Sequence, residues 1–307
     1  MTIISASVIC DSITMTGDRI TTLELVYPRL IHSEFMTHRV FSRNAGSSRA
    51  IPTAKAIRAI KENPAEPIYW GKNKKGMQAS SELQGFKLFL AKFVWRYHRV
   101  ISIRCASLMS KLGAHKQIVN RLIEPHSHIK LVVTSTDWAN FMALRDHPAA
   151  QPEIRATARE IGRKMAYSMP TLLNQGEWHL PYITAEDMVD IEGKTRSLGE
   201  LQSMSVARCA RTSYQTFGGS TSTLEEDLEL YKKLLGSHPI HASPAEHQAC
   251  ADPKHSQSDL WGNFYGWIQY RKLLPNECVK DTRRPLEATG VEAALHGSES
   301  KVKKWKR

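Results

Sequence analysis

Paired cysteines are missing from this chain. Its five thiols, Cys10, Cys105, Cys209, Cys250 and Cys278, are odd in number and scattered through 307 residues, with no C-x-x-C spacing. That pattern excludes a disulfide framework and the common zinc-finger or zinc-ribbon arrangements. Long apolar runs are missing too. No stretch reaches the roughly 20 residues that cross a bilayer, so no membrane span is expected. The start, Met1-Thr2-Ile3-Ile4-Ser5, has neither the basic lead nor the apolar core of a secretory signal, and the cytoplasm is the expected compartment. No solenoid-length repeat and no RNA-recognition signature is present. Acid is scarce: 30 Asp and Glu against 42 Lys and Arg leave a net charge of +12, which favours anionic partners. Part of that charge sits at residues 72–75 and 301–307. Both runs read as solvated loops or ends, and nucleic acid is the lesser reading for them.

What is there is globular. The apolar fraction is 41% and the charged fraction 23%, enough chain for one large domain or two ordinary ones. Residues 19–27, RITTLELVY, are rich in β-branched side chains and partly alternate, predicting a strand. Pro28 suits the first turn of a short helix running to Arg39. Helices are predicted over 54–61, 81–112, 137–144 and 153–167, and a second strand over 129–134. Phe86, Phe89, Phe93, Tyr97 and Ile101 fall roughly on one face of the long helix, an aromatic stripe expected in the core or in a subunit contact. Residues 224–235 read as an amphipathic helix with an acidic start and a basic end, the polarity that suits a helix dipole. Prolines and glycines make 170–203 the best internal joint. It separates a unit of residues 1–169 from a second of 204–285, and 286–307 is a basic tail.

Three clusters carry chemistry. The first is His38-Arg39-Val40-Phe41-Ser42-Arg43-Asn44-Ala45-Gly46-Ser47-Ser48-Arg49, predicted to be a loop. Arginine forks, hydroxyls and an amide crowd around small residues with no acid among them, a composition that suits phosphate oxygens. The second comprises Asn120-Arg121 and the pair Asn140 and Arg145. Five residues apart on a helix, that pair is not strictly on one face, yet both can border one pocket near the helix end. The third is His241-Ala242-Ser243-Pro244-Ala245-Glu246-His247, preceded by Ala207-Arg208-Cys209-Ala210-Arg211-Thr212-Ser213-Tyr214. His238, His241, His247, Cys250 and His255 fit no common zinc spacing, and three prolines break the segment, so no metal is expected. Trp261 to Lys272, rich in glycine and aromatics, suits close packing or a stacking surface.

The first cluster, written H-R-x-x-S-x-N-x-x-S-x-R, resembles the signature of the flavin-dependent thymidylate synthases. The resemblance extends to Arg121 before Pro125, to Asn140–Arg145, to Ala150-Gln151-Pro152-Glu153-Ile154-Arg155, and to the run from Met204 to His247. In the usual member the H-x-[ST]-P-x-E-H segment precedes the H-R-x-x-S segment. Here the order is reversed, as a circular permutation would produce, so His241–His247 is expected to fold back beside His38–Arg49. The resemblance implies an α+β fold, an antiparallel sheet flanked by helices, with both units forming one catalytic domain. It implies homotetramers with sites between subunits, FAD as cofactor, NADPH as reductant, methylenetetrahydrofolate as carbon donor and dUMP as the nucleotide methylated at C5. By position, His38, Arg39, Asn44, Asn140, Ser213, His241, Ser243 and Glu246 would hold FAD. Glu34, Ser47, Arg49 and Arg121 would hold the nucleotide. Arg145 would touch it as well and favour ionisation at N3, the catalytic role.

Departures from the family pattern concern the substrate. Thr37 stands for an arginine, Ala45 for a glutamate, Glu34 for a glutamine, Ala50 for a tyrosine and Thr136 for an arginine. They leave two other readings in play: a related pyrimidine-nucleotide C5-methylase or hydroxymethylase, and a non-catalytic basic nucleic-acid-binding protein.

Overall fold

The computed structural model describes residues 2–76, 78–79, 81–190, 192–214, 222–237, 239–275 and 277–278, with the side chains of 213 and 214 outside that description. The basic tail and residues 215–221 therefore lie outside the described residues.

Strands β1 (Ser5–Thr14) and β2 (Arg19–Pro28) form an antiparallel hairpin. Gly17 takes the positive φ of 90° in its turn, a conformation glycine adopts without steric cost. Strand β3 is Ser42–Ala45, β4 is His128–Ser135 and β5 is Thr171–Leu173. The five assemble in the order β3-β4-β2-β1-β5. All pairs are antiparallel except β1 with β5. A smaller antiparallel sheet joins β6 (Trp178–His179), β7 (Ala249–Ala251) and β8 (Trp267–Gln269).

The helices are α1 (His32–Phe35), α2 (Thr53–Glu62), α3 (Gly85–Lys111), α4 (Lys116–Val119), α5 (Ala139–Arg145), α6 (Pro152–Ala166), α7 (Leu198–Tyr214) and α8 (Leu224–Leu235). Two-residue periodicity sorts the large sheet's faces. Leu23, Leu25 and Tyr27 of β2 and Ile129, Leu131 and Val133 of β4 point into the main core with Phe35, Phe41, Phe141, Ile154, Ala158 and Ile161. Burying each such side chain stabilises the fold by about 1.5–3 kcal/mol. The alternate residues, Thr22, Val132 and Thr134, are equally buried on the face that carries α7, which packs on β3 and β4. The result is an α+β fold, sheets flanked by helices.

Some expectations change. The signature is not all loop: Ser42–Ala45 pairs with β4, Asn44 opposite Val132. Its small alternating residues suit an edge strand, which pattern-reading for apolar alternation passes over. The helix after Pro28 ends at Phe35 rather than Arg39, and the Arg43 guanidinium takes the freed carbonyls of Met36 and His38 at 2.8 and 3.0 Å. The aromatic stripe is not core. Phe86, Phe89, Phe93 and Tyr97 are 55–75% exposed; α3 buries only its later turns, through Ala106 and Ile103, against Ile60, Val119 and Ile123. Residues 170–203 carry β5, β6 and the first residues of α7, so this joint is woven into both sheets.

Candidate functional site

Signature and second-unit residues meet in one chain. A cavity of about 410 Å³ is lined by Asn44, Ser47 and Arg49 from the signature, by His241, Ser243 and Pro244 from the later segment, and by His115 and Gln117. Among the described residues no carboxylate lines it. Guanidinium, imidazole, amide and hydroxyl groups together form a donor-rich surface of the kind that suits phosphate oxygens.

Strand alternation sets the geometry. Ser42 and Asn44 face the second unit, whereas Arg43 and Ala45 face the other way. Asn44 Nδ2 donates to the Cys209 carbonyl of α7 at 2.7 Å. Ser42 Oγ sits in a small amide network: Asn263 Nδ2 donates to it at 3.1 Å and Gln269 Nε2 at 3.2 Å. Gln269 Nε2 also reaches the Glu246 carbonyl at 3.2 Å. This gives residues 261–272 a role that their composition did not reveal: they clamp the signature strand to the H-x-S-P-x-E-H segment. Within the same segment Arg271 forms an ion pair with the Glu246 carboxylate and bonds Glu277 at 3.1 Å. Arg271, Asn263, Gln269, His115 and Gln117 are the members that sequence reasoning missed; the first three lie in the 261–272 segment, which its glycines and aromatics marked for packing or stacking rather than for polar contacts.

Gly46 turns the chain from β3 into the loop. Its N–H donates to the Lys130 carbonyl at 2.8 Å. A Cβ there would lie 3.2 Å from that same oxygen and 3.5 Å from the Thr212 carbonyl. Gly46→Ala is therefore expected to lower stability by about 1–3 kcal/mol through overpacking, read as a shift of the urea midpoint at unchanged slope. An unshifted midpoint would mean the two backbones separate freely.

The remaining residues form a second cluster. Arg145, at the end of α5, is held on three sides: Nε donates to His38 Nε2 at 2.8 Å, Nη1 pairs with Glu34, and Nη2 reaches Thr37 Oγ1 at 3.3 Å. His38 is buried between the rings of Phe41 and Phe141. Burial, then the cations Arg145 and Arg43, lower its pKa, so it stays neutral and accepts the Arg145 proton donor at Nε2. Arg39 and Asn140 are exposed. None of Glu34, His38, Arg39, Asn140 and Arg145 lines the cavity. Arg121 also stands apart, exposed and paired with Glu124 at 2.9 Å. The Ser213 side chain is outside the described residues. His241 and Ser243 are exposed and Glu246 is half-buried. Among the described residues no helix is long and apolar enough to cross a membrane.

The α+β scaffold thus gathers a phosphate-type donor set where the end of β3 meets α7, α8 and the His241–Pro244 segment. Residues 20–171, about half of the chain, match the family model described as thymidylate synthase complementing protein, and the chain belongs to that family, the flavin-dependent thymidylate synthases, whose members are methyltransferase-type enzymes. The match starts in β2 and ends in β5, so it contains the signature and Arg145 but not His241–His247. Among solved structures, the UMP/dUMP methylase PolB from Streptomyces cacaoi bound with 5-Br UMP is similar: 15% identical, covering 54% of this chain and 90% of that one, with a TM-score of 0.44. No curated protein sequence matches the chain.

Proposed function

We propose that this protein methylates C5 of a pyrimidine nucleotide, making dTMP from dUMP with methylenetetrahydrofolate as carbon donor and NADPH as reductant, on a bound FAD. The observation that carries the reading is the shared cavity. Asn44, Ser47 and Arg49 lie some 200 positions from His241 and Ser243 in the sequence, yet all five line it. That is what the family's two segments require when their order is reversed.

The donor set fits the flavin's phosphates: cationic and hydroxyl groups are present and no acid opposes them. Asn44, His241 and Ser243 would hold the cofactor from the cavity side, with Glu246 in the same turn as Ser243, and His38 from the second cluster together with the exposed Arg39 and Asn140. Ser213 belongs with them by its place in the family pattern. When bound, the flavin supplies the redox chemistry, and the protein supplies position and charge. Ser47 and Arg49 hold the nucleotide phosphate, with Arg121. Arg145, with Glu34 beside it, places a fixed cation at N3 of the uracil ring, which lowers the cost of negative charge there. The two clusters do not share one cavity within a single chain, which favours a homotetramer whose sites lie between copies. The exposed stripe Phe86, Phe89, Phe93 and Tyr97 offers a face for such contact. The compartment remains the cytoplasm on this reading.

The visible spectrum of the purified full chain tests the cofactor. Flavin bands near one per chain are expected, directly or after reconstitution with FAD; a colourless protein that cannot be reconstituted overturns the proposal. Product mass after incubation with dUMP, UMP or dCMP and the folate donor fixes the nucleotide. Ala45, in place of the family's glutamate, and Glu34, in place of its glutamine, favour testing hydroxymethyl as well as methyl products.

A further inference from the structure

A second cavity lies on the other side of the signature loop. It measures about 280 Å³; Ile3, Val26, Ile51, Ala59, Ile60 and Ile123 form its aliphatic walls, while Lys55, Glu62, Glu124 and Lys130 bring charge of both signs to its lining. An apolar cavity of about 150 Å³ already holds a benzene ring, so this one has room for a bicyclic aromatic.

Two polar side chains in the lining each carry a buried atom without a hydrogen-bond partner. Asn120 is 2% exposed. Its Nδ2 donates to the carbonyls of Ser48 and Ile51 at 2.7 and 2.9 Å. Both partners are acceptors, so the amide cannot be flipped, and Oδ1 is left buried without a donor. Arg29 is the other. Its Nε is buried and unpartnered, its Nη2 reaches only the Gly46 carbonyl at 3.2 Å, and its carboxylate neighbour Glu124 stands at 3.6 Å. Glu124 is already engaged by Arg121 at 2.9 Å. The Arg29 guanidinium thus has one carboxylate nearby but none within hydrogen-bond contact, and burial lowers its pKa. Unpaired buried groups of this kind are costly, and a ligand that satisfied both would be bound for that reason.

We infer that this cavity is an effector site for a planar aromatic that carries an anionic oxygen for Arg29 and a hydroxyl or N–H donor for Asn120 Oδ1, its rings lying among the isoleucines. The chemical class is a hydroxylated aromatic carboxylate. Both anchors also hold the loop: Arg29 binds the Gly46 carbonyl, and Asn120 binds those of Ser48 and Ile51. Occupancy therefore reaches Ser47 and Arg49 on the loop's other side. Binding in the cavity is independent of the proposed function; the coupling to the nucleotide rests on it.

The test uses the full-length protein and 6-hydroxy-2-naphthoate as the ligand, followed by its own fluorescence. Saturable one-to-one binding is expected. Arg29→Gln should weaken it by about tenfold, the cost of losing a charged hydrogen bond. Ala59→Phe, which fills the cavity, should abolish it while thermal unfolding stays cooperative. Absent or non-saturable binding, or equal binding to both variants and wild type, overturns the site. Calorimetric titration with dUMP, with and without saturating naphthoate, then reads the coupling, expected to change dUMP affinity by about fivefold or more. Unshifted dUMP affinity overturns the coupling, whereas absence of any dUMP binding tells against the nucleotide reading and leaves the naphthoate result standing.

Discussion

Arg145→Ala is expected to lower methylation of dUMP by about two to three orders of magnitude, the typical cost of removing one preorganised electrostatic contact from a transition state. Flavin content should stay at the wild-type level. On the proposed assignment Arg145 acts on the uracil ring and Arg39 on the cofactor, so Arg39→Ala should lose flavin instead. Equal flavin retention in the two variants would contradict this division of labour. The structure adds a refinement. The Arg145 guanidinium is paired with Glu34, at a position where the family carries glutamine. A carboxylate there offsets part of the positive charge that the nucleotide would otherwise meet. Glu34→Gln should therefore lower KM for dUMP, by roughly threefold or more at low salt, where charge is least screened. A loss of turnover as deep as that of Arg145→Ala would show instead that Glu34 holds the arginine in place for the reaction.

The elements legible in the sequence were those whose pattern has a single cause. Residues 224–235 form a helix as expected because one stripe is apolar and Thr223 and Glu226 close a capping box at its start. β2 and β4 followed from β-branched alternation. β1 was not legible, because the strand is central and polar at once. Asp11 is buried against Arg19 and Thr21, and Ser12 against His179, so no apolar period marks it. The aromatic stripe of α3 shows the opposite limit. Helical spacing reveals that a face exists, but not whether this chain or another copy covers it. For the candidate site, the signature's spacing singled out Asn44, Ser47 and Arg49, which line the cavity, but how the remaining residues are arranged was illegible. That Arg145 is engaged by Glu34 and His38, and that Glu246 is engaged by Arg271, depends on contacts more than 100 and 25 positions apart, which no local pattern encodes.

Acid should destabilise this protein before its carboxylates titrate. The two sheets meet across a buried polar chain. His179 bonds Ser12 at 2.9 Å and Thr22 at 2.8 Å, Thr22 bonds Thr134 at 2.7 Å, and Thr134 bonds His247 at 2.9 Å. Both histidines are wholly buried, and burial pushes each pKa down from the usual 6.5 to about 3. His32 and His126 are lowered to about 4 by the same cause. The sign follows from proton counting. Between roughly pH 6.5 and 4 the unfolded chain binds protons that the fold refuses, so stability is fully present above the unfolded pKa and falls as pH drops through it. Counting His179 and His247 alone, the loss by pH 5 is about 4 kcal/mol, a large share of the 5–15 kcal/mol typical of a folded protein. Urea unfolding at pH 7.5, 6 and 5 measures it, and His247→Gln, which keeps a hydrogen-bonding side chain but cannot gain a proton, should flatten the slope. Equal midpoints at pH 7.5 and 5 would mean that these imidazoles reach solvent in the native state, and that the seam between the two sheets is held by the apolar contacts around Ile20, Phe264 and Trp267 rather than by this polar chain.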